Sequence, residues 1–150
     1  MYNANITIKI NTSFSIVGFE NAIIYGPPHS YLFEVETKTK VQIVIMDIGF
    51  SQIGVLVSQY NVNITIRKCT FSNLTGSMVL INRSNGEISV RIMSSIFRDN
   101  EDYVLSIRNA SVGHSMKVFV DGCNFTKSKG LFVQSYNQAS IVITNCIFFG

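Results

Sequence analysis

Apolar residues recur along this chain in a fixed four-position frame. Six phenylalanines mark it, Phe19, Phe50, Phe71, Phe97, Phe125 and Phe148, at intervals of 31, 21, 26, 28 and 23 residues. Two residues before them stand Val17, Ile48, Cys69, Ser95, Cys123 and Cys146. Five before stand Phe14, Ile45, Ile66, Ile92, Val120 and Ile143, and seven before stand Thr12, Ile43, Ile64, Val90, Val118 and Ile141. Of these 24 positions, all but Thr12 and Ser95 are apolar or Cys. The first two positions of each frame alternate as residues on one face of a strand do. The next inward residue comes one position late. That extra residue predicts a corner, after which the frame alternates again on a second wall. A helix would instead need spacings of three and four.

A short polar turn follows each anchor, such as Ser72-Asn73-Leu74-Thr75-Gly76, and then a second apolar stretch, such as Met78-Val79-Leu80-Ile81 or Leu131-Phe132-Val133. A polar return loop leads to the next unit. Each unit therefore holds two or three short strands. It cannot bury its inner face alone and must stack on its neighbours. A β-sandwich also has short strands, but it gives no reason for one frame to recur six times. The expectation is a single all-β domain over residues 1–150. Residues 41–150 form regular coils, and 1–40 form an irregular first coil with a long insertion.

The segment Ile64-Thr-Ile66-Arg-Lys-Cys69-Thr-Phe71-Ser-Asn73, echoed at Val118-Phe-Val120-Asp-Gly-Cys123-Asn-Phe125, resembles the coil of right-handed parallel β-helix proteins of the pectate-lyase-like superfamily. It looks most like the repeats of carbohydrate-binding and sugar-hydrolysing members. The resemblance implies a right-handed solenoid of about six coils. It does not fix the activity, since this fold hosts lyases, hydrolases, adhesins and spacers. Of the hydrolase motifs in that superfamily, only Gly113-His114-Ser115 is similar to one, and its third Gly is missing.

Composition narrows the function classes. The chain has 150 residues, 47% hydrophobic and 14% charged, enough for a real core and too apolar for a disordered segment. The formal charge of +3 is spread thinly, so no basic block argues for nucleic acid. No apolar run reaches the roughly 18 residues of a membrane-spanning helix. The first residues carry no secretory signal, and the chain ends straight out of the apolar run Ile147-Phe148-Phe149. Both ends suggest a fragment of a longer β-helix.

Seven Asn-x-Ser/Thr sequons begin at Asn5, Asn11, Asn63, Asn73, Asn82, Asn109 and Asn124, against about two expected from 14 Asn and 26 Ser plus Thr. They point to extracellular or cell-surface display, although Asn-rich turns raise the number too. Asn73 has a second reading, as an asparagine stacked inward at a corner. The three cysteines share the inward minus-two position and read first as small interior hydrophobes. Only Cys123 and Cys146, in consecutive coils, come close enough for a disulfide, which leaves Cys69 free.

Cleavage of sugars generally needs clustered carboxylates. Asp99, Glu101 and Asp102 form the one acidic cluster, beside Arg98. It could hold calcium, but no neighbouring coil offers matching acids, so a solvated turn is the plainer reading. Asp47 and Asp121 lie three coils apart, about 14 Å, too far for a paired-carboxylate hydrolase. Arg67 and Arg91, on outward strand positions, could meet acidic sugars. The long loop of residues 25–31 offers Tyr25, His29 and Tyr31 as binding groups on a rigid scaffold. No catalytic residue, cofactor or metal site is expected. The reading is a non-catalytic surface module, structural or adhesive, whose partners are glycans or other surface proteins. The alternative is the scaffold portion of a polysaccharide lyase or glycoside hydrolase whose catalytic coils lie outside this chain.

Overall fold

A computed structural model of the chain describes residues 2–3, 7–19, 21–82, 86–110, 115–135 and 139–150. These residues form strands and turns and no helix. The chain winds as a parallel β-helix of about five turns. Each turn lays one strand on each of three walls. The first wall is a six-stranded parallel sheet of Phe14–Val17, Val41–Met46, Val62–Arg67, Ile88–Met93, Met116–Asp121 and Ala139–Thr144. The second wall stacks the three-residue strands Ile23–Tyr25, Gly49–Ser51 and Thr70–Ser72, and the third stacks Tyr31–Val35, Gly54–Ser58 and Val79–Asn82. The long strands Ile96–Ala110 and Asn124–Ser135 run through the corner between these two walls and join them into one 11-stranded sheet.

The frame read from the sequence sets the register. Ile43, Ile64, Val90, Val118 and Ile141 lie directly over one another, as do Ile45, Ile66, Ile92, Val120 and Ile143. From Ile43 and Ile45 to Val118 and Val120 these side chains are buried and form one continuous core with Phe50, Phe71, Phe97 and Phe125, whereas Ile141, Ile143 and Phe148 of the following coil are about half exposed. Phe50, Phe71, Phe97, Phe125 and Phe148 stack ring on ring, with centroids 4.7–5.2 Å apart and planes within 13° of parallel. The coil spacing of about 4.8 Å matches that stacking distance, so one residue type repeats down the column without a gap.

The expected extra corner residue is present in every regular coil. Asp47, Lys68, Ser94, Gly122 and Asn145 all take positive φ, between 49° and 61°. A left-handed residue reverses the alternation at the bend, so the next inward side chain stays inward. A second positive-φ column, Gln52, Asn73, Asp99 and Lys127, turns the chain after each anchor. Asn73 is exposed on this bend, not stacked inward. Among the described residues the buried asparagine is Asn100, one position later in the following coil.

The first coil departs from the frame. Phe14 and Ile16 pair with Ile43 and Ile45, and Ile24 pairs with Phe50. Ile24 is thus the anchor of this coil. Phe19 is 78% exposed and Val17 is exposed beside it, so neither belongs to the core. The expected register is two residues off on the first wall, where Ile16 and not Phe14 meets Ile45, and an insertion of three residues at the corner makes it five off at the anchor. Gly18 holds the corner by donating its N–H to the Met46 carbonyl at 2.8 Å. A Cβ at Gly18 would lie 2.1 Å from the backbone oxygen of Asp47. Gly18→Ala should therefore cost about 1–3 kcal/mol, read as a fall in the urea midpoint. A midpoint equal to that of the parent would show that the corner can open freely.

Candidate functional site

The outer surface of the second wall is not flat. The residue after each anchor points outward, and these residues pair in order as Tyr25, Ser51, Ser72 and Arg98. The outward residue before each anchor gives a parallel column of Ile23, Gly49, Thr70 and Ile96. The middle two coils carry small side chains and the outer two carry large ones. The result is a groove of about 510 Å³. Its floor is Gly49, Ser51, Thr70 and Ser72, Tyr25 stands at one end and Arg98 at the other, and the corner residues Asp47 and Lys68 line its side. Glycine at position 49 keeps the floor low, since a Cβ there would meet Ile23 Cγ1 at 3.1 Å. Arg98 and Lys68 are exposed, and neither is in an ion pair among the described residues. The groove thus offers an aromatic face, three hydroxyls and two free cations on a rigid floor.

The other two loop candidates lie elsewhere, around the corner on the edge of the third wall. The Tyr31 ring lies over Gly54, where a Cβ would approach its Cδ1 to 2.7 Å. That empty space lets Tyr31 reach across coils toward Asp102 and Arg108. Burial pushes its hydroxyl up to about 12, with the Asp102 charge adding to the rise and Arg108 opposing it. His29 is exposed, and its backbone N–H donates to Thr75 Oγ1 at 3.1 Å. The winding thus brings Tyr31 and Asp102 into one neighbourhood and places Tyr25 in another.

Asp102 does not face Asp99 and Glu101. Its carboxylate accepts the Tyr103 N–H at 2.7 Å and the Ser77 hydroxyl at 3.4 Å. Asp99 and Glu101 are exposed, and no group of three metal-ligating side chains converges among the described residues. Beyond Asp102 runs a half-exposed strip that the sequence reading missed. Tyr103 and Phe132 meet at 5.3 Å, with Lys129 over the first ring and Arg108 over the second, each at 5.8 Å.

Asp121 ends a first-wall strand one residue before the corner position that Asp47 holds. The hydroxyl of Thr144 at 2.7 Å and the amide of Asn145 at 2.8 Å hold its carboxyl below the usual range. Arg67 and Arg91 are exposed on the first wall. Arg91 borders a shallow hollow with Lys117, Phe119 and Val142. Among the sequons, Asn11 and Asn73 are exposed, and Asn63, Asn82 and Asn124 are half-buried. Asn5 and His114 lie outside the described residues, as does the side chain of Asn109.

No helix in the described chain is long and apolar enough to cross a membrane. The chain matches no protein-family model, no curated protein and no solved structure.

Proposed function

We propose that this chain is a non-catalytic β-helix module of an extracellular or cell-surface protein, an adhesive scaffold that takes glycans as ligands in the second-wall groove. The observation that carries this reading is the ordered column Tyr25, Ser51, Ser72, Arg98. A sugar ring places its apolar face on an aromatic side chain and its hydroxyls on small polar groups. Tyr25 supplies the first, and Ser51, Thr70 and Ser72 supply the second. Arg98 and Lys68 suit a saccharide with a carboxylate or sulfate, because a guanidinium binds such groups through two parallel hydrogen bonds. A floor built from sheet is already ordered, which lowers the entropic cost of binding. The coil motif supports kinship with the pectate-lyase-like superfamily, and the exposed sequons at Asn11 and Asn73 support passage through a glycosylating compartment.

The test uses the chain secreted from glycosylating cells, where a mass shift removed by a glycosidase is expected. Glycan arrays should then show binding to acidic saccharides. Tyr25→Ala and Arg98→Ala should each weaken binding about tenfold or more, equivalent to about 1.4 kcal/mol, while Tyr31→Phe should leave it unchanged. Binding that survives both groove substitutions would remove the groove from the reading. Cleavage of the bound polysaccharide would overturn the non-catalytic assignment in favour of the lyase or hydrolase scaffold.

A further inference from the structure

The inward minus-two column carries Ile48, Cys69, Ser95, Cys123 and Cys146 in successive coils. Cys123 and Cys146 are direct neighbours in it. The residues that follow them, Asn124 and Ile147, are register partners, and the Ile147 N–H donates to the Cys123 carbonyl at 2.9 Å. Adjacent strands stand about 4.8 Å apart, inside the Cα window of about 4.4–6.8 Å for a disulfide. Cys69 is separated from Cys123 by the coil of Ser95, about twice that distance. Ser95 also holds Cys69 in place, since its Oγ accepts the Cys69 N–H at 3.2 Å. Cys123 is buried, whereas Cys146 is half-exposed on the last rung.

We propose that Cys123 and Cys146 are a redox modification site, joined as a disulfide that staples the last rung to the coil before it, while Cys69 remains a thiol. The oxidant is a small-molecule or protein disulfide. The Cys146 thiolate, open to solvent, attacks one sulfur of the oxidant and releases the other as a thiol. The Cys123 thiol then loses its proton to water and attacks Cys146 Sγ, expelling the second oxidant thiol. Two protein thiols are oxidised and one external disulfide is reduced to two thiols.

This order follows from access. Burial pushes the Cys123 thiol up to about 11, so it is a poor first nucleophile near neutral pH. The bond needs inward Cβ atoms about 3.5–4.5 Å apart, slightly closer than the strand spacing. The two thiols already meet across the rungs, Cys146 acting on the Cys123 thiol through a side-chain hydrogen bond.

The setting, an oxidising compartment, rests on the proposed surface location. The site itself is tested in vitro, so the two can fail separately. The folded chain is incubated in a glutathione redox buffer, alkylated, unfolded in the presence of a second alkylating reagent of different mass, and cut with trypsin without reduction. The three cysteines fall in separate peptides, 69–83, 118–127 and 130–150. The expected product links the last two, lighter by two hydrogens, with Cys69 alkylated only after unfolding. Cys69→Ser should leave the link intact, and Cys146→Ser should abolish it. Amide exchange across 139–149 should slow about tenfold or more on oxidation and recover with reductant. The same oxidation in denaturant should give mixed pairings. Three alkylated cysteines after oxidation of the folded chain, or a link through Cys69, would overturn the proposal.

Discussion

Phe97→Ala should lower the stability of this chain by about 3–5 kcal/mol, the range for emptying a large aromatic site in a core. Phe97 is fully buried and stacked on both faces, 5.2 Å from Phe71 and 4.8 Å from Phe125. Its removal breaks both ring contacts. The hydrogen-bonded coils above and below hold their spacing, so the hole cannot collapse along the column. Phe71 is equivalent, buried between Phe50 and Phe97. Phe148 stacks on one face only and is 55% exposed, so its truncation should cost markedly less. Phe19 touches no ring among the described residues and is 78% exposed, so its variant should lie within about 0.5 kcal/mol of the parent. Urea midpoints of the four alanine variants, followed by the far-ultraviolet β signal, check the series. A loss at Phe19 equal to that at Phe97 would restore the register read from the sequence and refute the one in the structure.

That contrast shows where the sequence was legible. Over 41–150 the frame could be read because strand alternation, the single corner residue and the Phe spacing all agree. In the first coil they conflict. Phe19 stands at the right distances from Phe14 and Val17, yet it belongs to the insertion at the corner and is exposed, so an apolar residue outside the core imitates the anchor. The true anchor, Ile24, sits in a run of apolar residues, Ala22-Ile23-Ile24-Tyr25, that fits several registers. The groove was hidden for the same reason. Ser51, Ser72 and Arg98 all directly follow their anchors, a column open to reading, but Tyr25 joins it only once Ile24 replaces Phe19. The approach of Tyr31 to Asp102 depends on side-chain reach across an empty glycine position, which no pattern of periods encodes. An asparagine stacked inward at the corner was one of two readings of Asn73, the other being an exposed sequon. The inward slot comes one residue later, since the left-handed residue itself must point out.

Asn100→Leu should cost about 2–3 kcal/mol, and Asn100→Asp should turn part of that loss into a pH dependence. Asn100 fills the inward slot after the second corner, below Leu74 and above Ser128. Its amide spans the corner of the preceding coil. Oδ1 accepts the Leu74 N–H at 3.0 Å, and Nδ2 donates to the Phe71 carbonyl at 3.5 Å. Leucine packs as well as the Leu74 above it but leaves both backbone groups unpaired, and a buried orphan costs about 1–3 kcal/mol, less for the longer of the two bonds. Aspartate keeps the acceptor and loses the donor, unless its carboxyl is protonated and gives its own O–H to Phe71. Burial favours that neutral form and raises the folded pKa above the unfolded value of about 3.9. The unfolded chain then binds fewer protons than the folded one as pH rises, so stability falls with pH. The variant should be closest to the parent below about pH 4 and lose about 1.4 kcal/mol per unit of raised pKa, levelling off above the folded value. Urea midpoints of parent and variant measured from pH 3 to 7 give the difference directly. A variant that gains on the parent as pH rises would mean that the Leu74 N–H holds the carboxylate charged and that the Phe71 bond contributes little.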